Sequence, residues 1–251
     1  MLAEERHSII LKILEDKKAV TVLDLVQALD TSESTVRRDL SILHNRGLLY
    51  KVYGGATSIT NNYSTGEADM NAKRTLSLDE KKLIAQKAAS LISGKDFVYL
   101  DAGTTTLLMI DYLQAQQATY ITNGIAHAAR LSARGFRSYI VGGELKASTE
   151  AVIGIEAAEN LRRYNFTKGF FGTNGISIKS GFSTPDPTEA LIKSEAIAHC
   201  KKAYILADNT KFNKIFPITF ANISCAAILT DTLIDKKYRE YTSIIEVNEA
   251  K

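Results

Sequence analysis

One segment of this chain, residues 32–56, limits the possible folds more than any other. Ser32 is a suitable N-cap, because its hydroxyl can accept a hydrogen bond from the backbone N–H of Ser34 or Thr35. Gly47 can end the helix about four turns later. The segment therefore predicts a helix of about 14 residues, followed by a short extended stretch.

The predicted helix has two different faces. A turn of about 100° per residue places Val36, Leu40 and Leu43 on one apolar stripe. The opposite face is polar and carries Ser34, Arg38, Ser41 and Asn45, with Arg37 on its flank. Short hydroxyl and amide groups beside arginines suit contacts with base edges and phosphates, whereas a merely solvated face usually carries Glu and Lys. The outward face therefore has the chemistry of a DNA-reading helix.

A short β wing is predicted after this helix. Residues 48–53, LLYKVY, are strand-like, and the glycines at 54 and 55 allow a turn. Between residues 34 and 57 there are four basic residues and one acid, Asp39, although residues 1–57 hold eight of each. Positive charge is thus concentrated where DNA would lie. We predict DNA contacts from Ser34, Thr35, Arg37, Arg38, Ser41, Lys51 and Tyr53.

Composition excludes several other classes of protein. The 251 residues carry a net charge of +3, too weak alone to indicate nucleic acid, and 45% are hydrophobic, enough for two packed domains. No apolar run approaches the ~18 residues of a membrane span, and the N-terminus lacks the layout of a signal peptide, so we expect a cytoplasmic protein. Cys200 and Cys225 lack metal-ligand spacing, so we expect two buried thiols, no metal and no cofactor.

Two more helices precede the DNA-reading helix. Residues 3–16 have apolar positions at helical spacing. Thr21 begins a capping-type sequence for a second helix, predicted over residues 21–30. This helix and the DNA-reading helix at 32–46 would form a helix-turn-helix. Residues 1–57 therefore form one predicted domain, and the alternative is a plain three-helix bundle.

These features together resemble a known family. The run TVLDLVQALDTSESTVRRDLSILHNRGLLYKVYGGA is similar to the N-terminal winged helix-turn-helix of the DeoR family of bacterial transcriptional regulators. Its most recognisable parts are TVRRDL and the final GGA. The resemblance implies that the arginine-bearing helix enters the major groove of double-stranded operator DNA, with Ser34, Thr35, Arg37 and Arg38 in contact.

A larger domain follows a polar connection. Residues 58–76 have no clear periodicity and are predicted to be a linker. Ser77 then begins S-L-D-E, a predicted capping box ahead of a helix that carries Leu83 and Ile84. We assign residues 77–251 to the second domain.

From Asp96 onward, apolar runs alternate with glycine-rich turns and helical stretches. The predicted strands are 97–100, 119–122, 138–141, 169–172, 203–207 and 226–229. The predicted helices are 105–113, 125–134, 155–163 and 187–199. This alternation predicts an α/β domain with a mostly parallel sheet covered on both faces, and ligands of such sheets bind at the C-terminal ends of the strands.

Polar turns follow the predicted strands. Residues 101–106, DAGTTT, leave the first strand and open a helix, so backbone N–H groups, hydroxyls and the helix dipole converge where a phosphate could bind. Similar polar turns lie at 122–124, 142–143, 172–175 and 208–211. We therefore expect a polar cup at one edge of the sheet.

This domain also resembles part of the same family. DAGTTT, TNG, VGGELK, FFGTNGIS, GFSTPDPTEALIKSEAI and LADNTKF are together similar to its sugar-phosphate sensor domain, whose fold is related to ribose-5-phosphate isomerase and glucosamine-6-phosphate deaminase. The resemblance implies that the threonine loop holds phosphate, that Lys193 or Lys211 adds positive charge and that Asp101 binds sugar hydroxyls. The implied effector pocket is lined by Asp101, Gly103, Thr104, Thr105, Thr106, Asn123, Gly143, Lys193, Asp208 and Lys211. For Lys193 the alternative is an ordinary surface ion pair with Glu189, four residues earlier.

An enzyme is the alternative function, because the related fold is catalytic elsewhere. Sugar isomerisation needs a carboxylate base, and the acidic motif of the isomerases is replaced here by the neutral residues 172–175, GTNG. Asp101 and Glu189 remain as possible bases. We expect binding without turnover, and so no catalytic residues.

The combined prediction is a repressor that binds its operator as a homo-oligomer, a dimer or a tetramer, and is released by a phosphorylated sugar. The runs TPDPTEALIKSEAI and LADNTKF resemble fructose-type members, so fructose phosphate is favoured over tagatose or another ketose phosphate. A purely architectural DNA-binding protein is a third possibility, but it would have no use for the Thr104 loop.

Overall fold

In the computed structural model of the protein, residues 2–17, 19–46, 48–52, 54–58 and 75–247 are described. Contacts between Cα atoms divide the chain into two units, Met1–Asn62 and Tyr63–Lys251. The predicted linker, 58–76, lies mostly outside the described residues. Its first residue, Ser58, ends a strand of the first unit.

The first unit has the three predicted helices and the wing. Its elements are α1 (Ala3–Lys17), β1 (Ala19–Thr21), α2 (Val22–Leu29), α3 (Glu33–Asn45), β2 (Leu49–Val52) and β3 (Gly55–Ser58). The strands form an antiparallel sheet in the order β1-β3-β2, and β1 was not predicted. Gly54 turns the wing with a φ of +82°, and a Cβ on Gly55 would lie 2.1 Å from the carbonyl oxygen of Val20. Both positions therefore require glycine.

The caps and the core of this unit follow the sequence. Thr21 and Asp24 form the capping box of α2, and the Ser32 hydroxyl accepts a hydrogen bond from the Thr35 N–H at 3.3 Å. The predicted apolar stripe of α3 is confirmed, because its three members are fully buried: Val36, Leu40 and Leu43. Arg46 is the C-cap of α3, and the predicted stop, Gly47, lies outside the described residues.

The second unit is built on a seven-stranded parallel sheet. Its helices are α4 (Leu78–Ser90), α5 (Thr104–Met109), α6 (Ile125–Ala133), α7 (Ile155–Leu161) and α8 (Pro187–Ala198). Its strands are β4 (Phe97–Leu100), β5 (Thr119–Thr122), β6 (Arg137–Ile140), β7 (Glu144–Lys146), β8 (Ala151–Ile153), β9 (Lys168–Gly172), β10 (Gly175–Ser177), β11 (Gly181–Thr184), β12 (Ala203–Leu206), β13 (Ile218–Ala221), β14 (Ala227–Thr230) and β15 (Ile244–Glu246). The order of the large sheet is β15-β14-β12-β9-β4-β5-β6, with every neighbouring pair parallel. The predicted winged helix-turn-helix and the mostly parallel α/β domain are both confirmed.

Burial on both faces of this sheet explains why its central strand β4 is apolar at successive positions. Tyr99 of β4 packs into one core with α7 and α8. Val98 and Leu100, its neighbours in the strand, point into a second core with α4 and α5. Because strand side chains alternate between faces, a parallel sheet covered on both sides needs apolar residues at successive positions.

Three features of this unit differ from the predictions. Ser77 has a φ of +51° and its hydroxyl makes no capping bond, so the predicted capping box is wrong. Leu83 is 42% exposed, because the buried face of α4 is formed by Lys81, Ile84, Ala85, Ala88 and Ala89 instead. Small antiparallel pieces were also missed: the β7–β8 hairpin and the sheet β10-β11-β13.

The cysteines are not both buried as expected. Cys225 is exposed, and Cys200 is half-buried, where burial raises the pKa of its thiol to about 12. Within the described ranges no group of three or more His, Cys, Asp or Glu side chains could hold a metal ion. In the same ranges, no helix combines the length and apolar character that crossing a bilayer requires.

Candidate functional site

The outward face of α3 presents most of the predicted DNA-contact residues. Ser34, Arg37 and Arg38 are exposed on the helix, Thr35 and Ser41 are half-buried, and Lys51 is exposed on β2. Tyr53 lies outside the described residues. The structure therefore brings the reading helix and the first strand of the wing to one polar surface.

The acid in this segment, Asp39, lies on the inner side of α3. Arg6 of α1 donates from Nε to Asp39 Oδ2 at 2.7 Å, and His7 Nε2 lies 3.1 Å from Oδ1. Burial acts to raise the pKa of Asp39, but the hydrogen bonds from Arg6 and His7 outweigh it and lower the pKa overall. The only acid between residues 34 and 57 is thus withdrawn from the outward face, and the basic side chains remain there.

The two arginines differ in their surroundings. Arg37 donates from Nε to Glu33 Oε1 at 2.9 Å, one helical turn earlier, and both side chains are about half exposed. Arg38 makes no hydrogen bond or ion pair with any described residue, and it is exposed. Arg38 can therefore pair with a ligand directly, whereas Arg37 must first break its ion pair with Glu33.

Ser41 connects α3 to the wing. Its hydroxyl donates to the Arg37 carbonyl oxygen at 2.7 Å and accepts from Lys51 Nζ at 2.8 Å. The hydroxyl is therefore already engaged, and in this arrangement Ser41 positions Lys51.

The second unit contains a cavity at the C-terminal ends of β4, β9 and β12. Most of the predicted effector residues line it: Asp101, Gly103, Thr104, Thr105, Asn123, Lys193, Asp208 and Lys211. The other lining residues were not among the predicted effector contacts, although Ala102 and residues 172–174 belong to the predicted polar turns: Lys81, Ala102, Thr149, Ala151, Gly172, Thr173, Asn174, Glu189 and Leu206. A polar cup is therefore present where the sheet topology requires one.

Two predicted residues do not belong to the cavity wall. Thr106 is fully buried, where its hydroxyl donates to the Asp101 carbonyl oxygen at 2.6 Å and accepts from the Gly103 N–H at 3.0 Å. It holds the loop in shape. Gly143 has a φ of +148° and packs so closely on β8 that a Cβ would lie 2.7 Å from the Ile153 carbonyl oxygen. Glycine at this position therefore allows its backbone segment to pack directly against β8.

The first turn of α5 keeps two hydroxyls available. Thr104 is half-buried and Thr105 is 7% exposed. Neither hydroxyl makes a hydrogen bond with another residue in the described part of the chain. By contrast, both polar atoms of the Asn123 side chain already have partners: Oδ1 accepts from Tyr99 and Ala102, and Nδ2 donates to the Val152 carbonyl oxygen at 3.1 Å. Thr104 and Thr105 are therefore the hydroxyls best placed to meet a ligand.

Lys193 is part of a buried ion pair. Its Nζ donates to Asp101 Oδ2 and to the Gly172 carbonyl oxygen at 3.2 Å. The same Asp101 oxygen accepts from the Gly172 N–H at 3.0 Å. Lys193 is only 8% exposed, so the alternative of a surface pair with Glu189 is wrong. Because Asp101 Oδ1 has no partner among the described residues, one carboxylate oxygen remains available.

Glu189 instead holds the β7–β8 hairpin against α8. Lys146 Nζ donates to Glu189 Oε1 and to Asp186 Oδ2, both at 2.9 Å, and Thr149 donates to Glu189 Oε1 at 3.0 Å. Thr149 and Glu189 both line the cavity. This cluster therefore fixes the hairpin as one wall of the cavity.

Lys81 is the informative residue that the sequence reasoning missed. It lies on α4, is 4% exposed and reaches the cavity wall. The signal was present in the sequence, because position 81 shares the buried stripe of α4 with Ile84, Ala85 and Ala88. A lysine on such a stripe normally has a functional or paired role. With Lys193 and Lys211, it gives the cavity three ammonium groups.

Both units match models of one family. Residues 6–62 match the DeoR-like helix-turn-helix domain, and residues 76–232 match the DeoR C terminal sensor domain. A protein of Bacillus subtilis strain 168, described as uncharacterized HTH-type transcriptional regulator FruR, is 42% identical over 248 residues, which cover 97% of this chain and 98% of that protein. The lactose phosphotransferase system repressor of Staphylococcus aureus strain NCTC 8325 is 33% identical over 251 residues, which cover 98% of this chain and 99% of the repressor.

A solved structure gives a weaker similarity. Ribose 5-phosphate isomerase A from Methanocaldococcus jannaschii aligns over 53% of this chain and 54% of its own, with 13% identity and a TM-score of 0.40. The assignment to a family rests on the sequence matches, which span both units and almost the full length of the relatives. The chain is a member of the DeoR family of transcriptional regulators.

Proposed function

We propose that this regulator represses a sugar-utilisation operon and leaves its operator when a phosphorylated sugar binds the cavity of the second unit. In this proposal residues 1–57 bind DNA, 58–76 are a linker, and 77–251 sense the sugar and form a homo-oligomer. The protein acts in the cytoplasm, where operator DNA and sugar phosphates are both present. The observation that carries the proposal is the pairing, on one chain, of an arginine-bearing helix with a lysine-rich polar cavity.

The DNA contacts are assigned to Ser34, Thr35, Arg37, Arg38, Ser41, Lys51 and Tyr53. Burial of Asp39 supports this assignment, because it withdraws that carboxylate from the arginines and leaves Glu33, which pairs with Arg37, as the exposed acid of α3. Arg38 carries the strongest contact, since no described side chain competes for it. Arg37 contributes after release from Glu33, and Lys51 is directed by Ser41.

The effector is assigned to the cavity beside Thr104 and Thr105. Their hydroxyls have no protein partner in the described ranges, and Lys81 and Lys211 line the same cavity. Asp101 Oδ1 is available for a sugar hydroxyl. The names of the two relatives, FruR and a lactose phosphotransferase system repressor, support a sugar as the ligand. Fructose phosphate is favoured, and tagatose phosphate is the alternative.

Binding without turnover is supported by the state of the carboxylates. Asp101 and Glu189 were the two candidate bases, and each accepts a hydrogen bond from a lysine ammonium. Each carboxylate therefore has a structural role: Asp101 holds Lys193 and the Gly172 N–H, and Glu189 holds the β7–β8 hairpin. We therefore propose a sensor and no enzymatic activity.

The DNA-binding part is tested by electrophoretic mobility shift on DNA upstream of the neighbouring operon. Arg38→Ala is expected to weaken binding by roughly 10- to 100-fold and Arg37→Ala by less. Lys82→Ala, which removes the same charge from the second unit, is the matched control and is expected to have no effect. Unchanged binding in both arginine variants would remove α3 from the interface.

The sensing part is tested by a thermal-shift screen of sugar phosphates, followed by product analysis. Fructose phosphates are expected to raise the unfolding temperature of the protein without conversion to any product. Turnover would restore the isomerase or deaminase alternative, and the absence of any response would favour an architectural DNA-binding protein.

A further inference from the structure

We infer that His127 is a positioning residue for the proposed effector site. Its imidazole holds residues 101–106 in the shape that presents the hydroxyls of Thr104 and Thr105 to a sugar phosphate. The inference deepens the proposed function and rests on it, because it names the side chain that sets the geometry of the two threonines.

His127 lies behind the cavity wall. It belongs to the first turn of α6, is only 3% exposed and is not among the described residues that line the cavity. Buried polar side chains of this kind are held by hydrogen bonds to their neighbours. His127 can therefore influence a ligand only through the residues that it contacts.

The contacts of His127 lie on both sides of the two threonines. Its Nε2 is 3.1 Å from the Gly103 carbonyl oxygen and 3.1 Å from Thr106 Oγ1. A carbonyl oxygen can only accept a hydrogen bond, so Nε2 carries a hydrogen and shares it between these two oxygens. The imidazole thus fixes the residue before Thr104 and the residue after Thr105.

Thr106 carries this contact into the rest of the turn. Its hydroxyl donates to the Asp101 carbonyl oxygen at 2.6 Å and accepts from the Gly103 N–H at 3.0 Å. Because its single hydrogen is directed at Asp101, Thr106 Oγ1 accepts from His127. A buried polar network whose members all have partners favours one arrangement over others. His127 supplies a donor that this network needs.

Glycine at position 124 allows the imidazole to reach the turn. A Cβ on Gly124 would lie 2.4 Å from His127 Nδ1 and 3.1 Å from the Ala102 Cβ, so a larger residue would displace the ring. The neighbouring Asn123 accepts from the Ala102 N–H at 3.1 Å. The connection between β5 and α6 therefore holds the turn at two points, through Asn123 and through His127.

The position of the two threonine hydroxyls depends on this turn. Neither hydroxyl makes a hydrogen bond with another residue in the described part of the chain, so the backbone of the turn sets where Thr104 and Thr105 point. Binding groups must be held within about 0.5 Å of the productive geometry. Without the donor of His127 the turn can adopt other arrangements, and ordering it again on binding lowers the affinity for the ligand.

Two substitutions of His127 test the inference in the full-length protein. In His127→Gln the side-chain amide can place an N–H near the position of Nε2, whereas His127→Phe fills the space without a donor. Isothermal titration calorimetry with fructose 1-phosphate, well below the unfolding temperature of each variant, gives the dissociation constant. His127→Phe is expected to raise it at least about tenfold, and His127→Gln by no more than about threefold.

His199→Phe is the matched control. His199 is a half-buried histidine of the same unit, its Nδ1 lies 2.9 Å from the Glu195 carbonyl oxygen, and it is not among the described residues of the cavity lining. Its loss is expected to leave the dissociation constant of fructose 1-phosphate within about twofold of the wild type, since it does not contact the turn.

Nitrogen-15 NMR of the wild type covers the case in which His127→Phe does not fold. The imidazole shifts show which ring nitrogen carries a hydrogen, and His127→Gln assigns the signal of His127. We expect a hydrogen on Nε2 and a change in this signal when fructose 1-phosphate is added, with the signal of His199 unchanged. A His127 ring without a hydrogen on Nε2, or one that does not respond to the ligand, would overturn the inference.

The outcomes separate this inference from the proposed function. A wild type that binds no sugar phosphate would overturn both. A wild type that binds the ligand, with equal affinity in His127→Phe, would overturn the inference alone and show that the histidine only packs. Equal weakening in His127→Phe and His127→Gln would contradict the role of the Nε2 hydrogen.

Discussion

Each unit of the protein buries a carboxylate with a basic partner near its proposed binding surface, but Asp39 lies behind that surface and Asp101 lies within it. In the first unit, Asp39 with Arg6 and His7 lies behind α3, away from the outward arginines. In the second unit, Asp101 with Lys193 lies in the cavity wall itself. The first arrangement keeps Asp39 away from the outward arginines, which suits the proposed DNA contact, whereas the second places a nearly neutral ion pair in the wall of the proposed sugar-phosphate site.

The largest effect is expected at the cavity pair. Lys193→Met leaves the Asp101 carboxylate buried without its counter-charge and should lower the free energy of unfolding of the second unit by about 3–5 kcal/mol. Denaturant unfolding followed by circular dichroism measures this loss. Asp101→Asn combined with Lys193→Met should recover much of it, since no unpaired charge remains. A loss no greater than that of the exposed control Lys82→Met would show that the pair is not buried as described.

A smaller loss of unfolding free energy is expected when Asp39, which pairs with Arg6 and His7 behind α3, is changed. Asp39→Asn removes the charged acceptor of Arg6 and His7 and should destabilise the first unit by about 2 kcal/mol. Operator affinity, measured well below the unfolding temperature, should stay within about twofold of the wild type, because Asp39 does not face the DNA. Tenfold tighter DNA binding by the variant would instead place this carboxylate on the reading face.

The pH dependence of the free energy of unfolding tests a further ion pair of the second unit, Asp96 with Lys168, which lies outside the cavity lining. Burial acts to raise the pKa of Asp96, but hydrogen bonds from Lys168, Ser93 and Thr167 lower it to about 2 from an ordinary value of 3.8. A lowered pKa in the folded state stabilises the protein above pH 3.8, and this stabilisation is lost as the pH falls through 2. It amounts to roughly 2 kcal/mol. Asp96→Asn should lack this part of the acid dependence in pH-resolved denaturation, and an unchanged acid profile would contradict the assignment.

The smallest effect concerns Ser41, which positions Lys51 in the wing. Ser41→Ala should weaken operator binding by about two- to fivefold, because Lys51 loses a hydrogen bond worth under about 1 kcal/mol. Ser8→Ala is a matched control, since the Ser8 hydroxyl also donates to the carbonyl oxygen four residues earlier, at Glu4, but lies on α1. Fluorescence anisotropy with labelled operator DNA measures the affinity of both variants, and only Ser41→Ala should be weakened. A loss of 100-fold or more would mean that Ser41 reads a base directly.

Much of the fold could be predicted because its signals are local. The strand at 97–100 is a continuous apolar run buried on both faces, and its bounds agree with the structure. Ser32 was identified as a cap from its own neighbours. Strands β10 and β11 were missed because GIS and GFST are short and glycine-containing, so only the pairing of β10 with β11, and of β11 with β13, makes them strands.

The partners of charged residues could not be predicted in the same way. Asp39 meets Arg6 across 33 positions of sequence, and Lys193 meets Asp101 across 92. The local pattern offered Glu189, four residues away, as the alternative partner of Lys193, because sequence spacing reveals helix neighbours and not contacts between distant elements. Gly143 was placed in the cavity for a similar reason: a glycine after a strand indicates a turn but not what the turn packs against.

The central claim is that a sugar phosphate bound beside Thr104 and Thr105 lowers the affinity of α3 for operator DNA. The direct measurement is the operator affinity of the full-length protein with and without saturating fructose 1-phosphate. It is made on the wild type and on the double variant Thr104→Val/Thr105→Val. Thr219→Val is the control for the loss of an exposed hydroxyl. The account predicts that the ligand lowers the affinity of the wild type and of the control at least about tenfold, a coupling of about 1.4 kcal/mol. The double variant should bind DNA equally well and fail to respond. An equal response in the double variant would contradict the account.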